Sequence, residues 1–183
     1  MELFDNMINC AANEIRTTDF SDTPQKYLSY ARYSLGDMIR KKHDFFGATH
    51  ISTKLLEMFK EAGGSTQDLL NADTQHDQKK VMRTLLGKDV FLIEHAKSVK
   101  QVRDEILEGA KSQDADNGGR VWVLVSEDKE LTSMYGLTDK GDCWETAYED
   151  AGISFVSFKE LNDNAVNIQI AELEAQILKL KQQ

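Results

Sequence analysis

Three groups of residues have types and spacing suited to chemistry. Glu94 and His95 close one apolar run, Ser126, Glu127, Asp128, Lys129 and Glu130 follow a second, and Lys159 and Glu160 follow a third. If these runs are parallel strands, the groups meet at one edge of a sheet. Open parallel sheets bind ligands beyond the carboxyl ends of their strands. Carboxylates from neighbouring strands can share Mg²⁺, a cation that takes oxygen ligands, and so support phosphodiester or phosphoryl chemistry. In that alternative reading Glu94, Asp128 and Glu130 are both metal ligands and catalytic residues, and Lys129 neutralises a phosphate. The reading adopted here is plainer. Strand ends at a surface are polar in any case, so the catalytic residues stay unknown and no metal or other cofactor is expected.

Phe91-Leu92-Ile93-Glu94, a capped helix, and Val123 to Glu130 together resemble the Toprim pattern over about forty residues. That resemblance implies a glutamate after one strand and an acidic pair after a later one, binding Mg²⁺ for nucleic-acid cleavage or rejoining. The chain departs from it at His95, where the pattern has glycine, and its pair would be Asp128 and Glu130. Glu127-Asp128-Lys129 also fits the Glu-x-Lys fragment of metal-dependent nucleases, but three residues carry little information.

Other chemistry has less support. Gly63-Gly64 and Gly118-Gly119 do not lie between a strand and a helix as a phosphate loop requires. His43, His50, His76 and His95 lack metal-ligand spacing with each other or with Cys10 and Cys143. Two isolated cysteines form no disulfide framework, and both read as reduced core or surface residues. Ser126 has no nearby histidine to suggest a triad. Trp122 and Trp144 read as core. Tyr27, Tyr30 and Tyr33 read as the core edge of a helix, because a base-stacking platform needs more cations than Lys26 and Arg32 among them.

The elements that must position these residues follow from periodicity. Leu3, Phe4, Met7, Ile8, Ala11 and Ile15 predict a helix over 2–16. Thr23-Pro24 starts a second, with Leu28, Ala31, Leu35, Met38 and Ile39 as its stripe and Arg40-Lys41-Lys42-His43 closing it against its dipole. Ile51, Leu55, Leu56 and Phe59 predict a third helix, stopped at Gly63-Gly64. Ser65 to Asp68 and Ser98 to Gln101 are helix-start boxes, and Val81, Met82, Leu85 and Leu86 mark a further helix ending at Gly87. Val90–Ile93, Val121–Val125 and Ile153–Val156 are the three strands. The first two barely alternate, which predicts burial on both faces, as in parallel sheets. Val99, Val102, Ile106 and Ala110 cover them as a helix. Asp114 to Gly119 is a turn, and Ser126 to Gly152 is irregular with short helices near Leu131–Tyr135 and Cys143–Asp150.

The predicted fold is therefore α/β: a helical region over 1–87, a domain over 88–162 with a small three-stranded parallel sheet and covering helices, and a C-terminal amphipathic helix over 163–183. In that last helix Val166, Ile170, Leu173, Ile177 and Leu180 are spaced four, three, four, three. This is a coiled-coil seam with Ile at a and Leu at d, the combination that favours parallel pairs. Gln169 and Gln176 flank it and add little selectivity. These five residues are the expected oligomerisation surface of a homodimer.

Composition limits the partners. The chain has 183 residues and a net charge of −9. Residues 101–150 carry five Lys/Arg against thirteen Asp/Glu, a surface that repels nucleic-acid phosphates and disfavours direct binding to them. No apolar run is long enough to span a membrane, and the start lacks the pattern of a signal peptide, so a cytoplasmic location is expected. These features predict an acidic, oligomeric protein-interaction or regulatory protein. It would bind a protein partner as an adaptor or inhibitor of a nucleic-acid-handling enzyme. A Mg²⁺-dependent phosphodiesterase or nuclease is the alternative.

Overall fold

A computed structural model describes residues 2–115, 119–136 and 144–181. Cys143 and the centre of the predicted turn, Asp116-Asn117-Gly118, lie outside the described residues. In chain order the elements are α1 (Glu2–Thr17), α2 (Gln25–Phe46), β1 (His50–Ser52), α3 (Thr53–Glu61), α4 (Thr66–Leu70), α5 (Gln75–Leu86), β2 (Phe91–His95), α6 (Val99–Glu108), α7 (Ser112–Ala115), β3 (Arg120–Leu124), α8 (Val125–Tyr135), α9 (Trp144–Asp150), β4 (Phe155–Ser157) and α10 (Phe158–Lys181).

Local chemistry sets many of these boundaries. The Ser65 hydroxyl accepts from the Asp68 N–H while the Asp68 carboxylate accepts from the Ser65 N–H, a reciprocal cap on α4. Ser98 and Thr74 accept from the backbone N–H three residues on, starting α6 and α5. Ser52 does the same for α3, so one residue ends a strand and begins a helix. Gly47 follows α2 at φ 71°, a backbone conformation that side chains resist, and its carbonyl accepts from Arg120 Nε at 2.8 Å.

The sheet is four-stranded and mixed, in the order β2-β3-β1-β4, not three-stranded and parallel. β2 runs antiparallel to β3, with Phe91 opposite Leu124 and His95 opposite Arg120. β1 is parallel to β3, and β4 is antiparallel to β1. The reason lies in α6. A parallel crossover needs its helix to lie on the sheet, but Val102 and Ile106 pack instead with Ile8, Ala12, Leu35 and Ile39 of α1 and α2. The chain therefore leaves β2 and re-enters β3 at the same end.

Ile51 belongs to β1 and not to the third helix, which begins at Thr53. The region before Gly87 thus supplies a strand that lies between β3 and β4. The unbroken apolar run of β3 comes from burial on both faces. Trp122 faces a core with Ile51, Leu55, Phe59, Met82 and Leu161. Val121 and Val123 face Leu131, Trp144, Tyr148 and Ile153 on the other side. Two-sided burial produces such a run whatever the direction of the neighbouring strand.

Tyr27, Tyr30 and Tyr33 are 53–67% exposed and do not form a core edge. The α2 stripe that includes Leu35 and Ile39 faces the helical core, which leaves the tyrosines toward solvent. Lys42 and His43, read as the positively charged close of the helix, are buried, and α2 continues to Phe46. The segment after β3 is helical from Val125, because the third residue of α8, Glu127, turns back to cap it.

Candidate functional site

Glu127 is the least expected residue of the predicted acidic group. It is only 2% exposed. Its Oε2 accepts from the Ser52 hydroxyl at 2.6 Å and from the Leu124 N–H at 2.9 Å. Its Oε1 has no hydrogen-bond partner. Position 127 is the third of α8, where a glutamate reaches back to the chain entering the helix. That register was legible; the Ser52 partner, 75 positions away, was not.

Tyr148 was not singled out from the sequence. It lies on α9, fully buried, and its hydroxyl has no partner. Burial pushes its pKa far above the usual phenol range, and the negative field of Glu94, Asp128 and Glu127 pushes it further. The phenol is therefore neutral at any physiological pH. The neutral phenol packs in the core beside Val121, Val123, Leu131 and Trp144. This state does not suit nucleophilic attack by the tyrosine, which would require loss of its proton.

The other predicted residues are distributed as follows. Glu94 lies opposite Val121 at the far end of β3 from α8, so the antiparallel strand removes the shared strand tips on which the Mg²⁺ reading and the Toprim resemblance were based. Asp128 is partly buried on α8, whereas Ser126, Lys129 and Glu130 are exposed. Among the described residues no three His, Cys, Asp or Glu side chains are arranged to hold a metal ion. His95 stacks on His43 with ring centroids 5.3 Å apart, packing the sheet edge to α2. Lys159 and Glu160 belong to the first turn of α10. There Glu160 accepts from the Ser157 N–H and hydroxyl, bonds that hold its carboxyl below its ordinary pKa.

His50 gives the site a pH dependence. Its ring meets Trp144 and Phe155, which stack on each other, in edge-to-face geometry at 5.2 and 5.3 Å. Burial lowers its pKa below 6.5, outweighing the opposing pull of Glu145 and Glu160, with Arg120 lowering it further. The folded state thus prefers neutral imidazole. Its contribution to stability is present in full above about pH 6.5 and is lost as pH falls toward the lower folded value. The thermal midpoint is expected to fall between pH 7 and pH 5 more steeply in the parent protein than in His50→Gln. Equal slopes would contradict this assignment.

Helix α10 is largely uncovered beyond its first turn. Its start is anchored by Leu161 in the sheet core. Beyond that, Val166, Ile170, Leu173, Ile177 and Leu180 are 44–70% exposed. All five predicted seam residues lie on a single continuous 24-residue helix. Among the described residues no helix is long and apolar enough to cross a membrane. No known protein family, curated protein or solved structure matches this chain.

Proposed function

We propose that this chain is an acidic interaction protein that self-associates through α10 and presents its body to a basic protein partner, as a regulator or adaptor. The observation that carries this reading is the row of exposed Ile, Leu and Val side chains on α10. Exposed apolar rows of this regularity are interaction surfaces, and a heptad seam is complementary to itself, which suits a twofold pair. The acidic half supports the second element. Glu130, Glu145, Glu149 and Asp150 are exposed on α8 and α9, a field that steers cationic partners and repels phosphates. A basic patch on a nucleic-acid-handling enzyme has the matching chemistry.

Magnitudes bound the self-association. Covering the exposed half of five apolar side chains from each helix returns roughly 10 kcal/mol, against about 4–15 kcal/mol for association. A pair formed by this seam alone is therefore of modest stability. Sedimentation velocity of the full chain and of a chain ending at Asn162 tests the reading. The full chain is expected to sediment as an oligomer at micromolar concentration and the shortened one as a monomer. Identical sedimentation of the two would remove the proposal.

A further inference from the structure

The seam above leaves part of α10 unexplained. Ile168 and Leu178 are 61% and 59% exposed, and neither belongs to it. Together with the exposed Ala171 and Ala175 they are spaced three, four, three, a second heptad stripe on the same helix. At about 100° per residue this stripe is centred roughly 160° from the first. A two-stranded coil covers one face of each helix, so pairing through Ile170 and Leu173 leaves Ile168 and Leu178 facing outward in water. A helix apolar on opposite faces is a buried helix.

We infer that the second stripe is covered by further copies of this chain, so that pairs formed through the first seam associate side by side into an assembly larger than a dimer. This inference rests on the self-association proposed above. A second copy fits because the stripe has the same repeat over the same span. Ala171 and Ala175 at its centre also let two backbones approach closely. Charge selects both the occupant and its direction. In a parallel pair on this stripe, Glu174 on one flank faces Lys179 of the neighbour on the next turn, and the reverse pair forms symmetrically. An antiparallel pair that matches Ile168 to Leu178 sets Glu172 and Glu174 against their own copies instead. Parallel tails are also what the Ile and Leu placement of the first seam favours, so both seams are satisfied by one arrangement.

Light scattering of the full chain, beside the double variant Ile168→Gln/Leu178→Gln, tests this. Both positions are exposed and outside the cores, so the variant folds as the parent does. The parent is expected to exceed two chains in mass and the variant to fall to two. A parent mass of two chains overturns the inference and leaves tail pairing intact; a mass of one overturns both. Glu174→Lys is expected to shift the larger assembly toward pairs, and adding Lys179→Glu to restore it. Failure of that restoration would overturn the parallel second seam.

Discussion

Gln78→Leu is expected to destabilise the protein by about 4 kcal/mol, the cost of two buried donors left without acceptors at roughly 1–3 kcal/mol each. Gln78 lies on α5 and is 5% exposed. Its side-chain oxygen accepts from the Trp122 indole N–H at 2.9 Å and from the Ala48 N–H at 3.1 Å. One carboxamide therefore joins α5 to β3 and to the turn entering β1. Leucine has a similar volume, so the substitution removes the acceptor and leaves no large cavity. Urea unfolding measures the change. A loss below about 1 kcal/mol, the net value of one ordinary hydrogen bond, would contradict this account of the junction.

Asp5→Ala is expected to cost about 3 kcal/mol, the low end for breaking a buried ion pair. The Asp5 Oδ1 accepts from Lys42 Nζ at 2.8 Å and from the Ser112 hydroxyl at 2.8 Å, joining α1, α2 and α7. The side chains of Lys42 and Asp5 are only 5% and 10% exposed, so the ammonium that loses this carboxylate is poorly solvated. Replacing both partners, Asp5→Leu with Lys42→Met, is expected to recover most of the loss, because apolar groups of similar size carry no such penalty. A double-mutant cycle in urea reads the coupling. A double variant less stable than Asp5→Ala alone would show that packing, and not charge, dominates there.

These two junctions show where sequence reasoning reached its limit. Caps are local chemistry, so Ser65 and Ser98 marked their helices correctly, and the burial of Trp122 and Trp144 follows from their size. Strand direction is not local. The run Val121–Leu124 reads the same beside an antiparallel neighbour as beside a parallel one, and only the destination of α6 decides between them. β1 has three residues, too few for an alternation signal, and Ile51 also continued the helical spacing of Leu55 and Phe59. Asp5 and Gln78 carried no signal in the sequence, and Lys42 read only as part of a helix-closing basic run, because their partners lie on other elements. The same applies to the acidic group. Its members were named from the sequence, but which of them is buried depends on Ser52 and on α9. The tyrosines of α2 were misplaced for the converse reason: their spacing beside an apolar stripe does not say which edge the neighbouring helices cover.

The helix of the tail was legible because its apolar spacing is local in sequence; the proposed pairing partner is a second chain. In the self-association proposed above, another chain covers α10 beyond Leu161 and stabilises a helix whose apolar side chains are exposed in the single chain. Amide hydrogen exchange across residues 163–181, measured over a hundredfold range of protein concentration, tests this most directly. Protection that rises with concentration is the expected result. Exchange at the rate of an unfolded peptide at every concentration, or protection independent of concentration, would contradict the account.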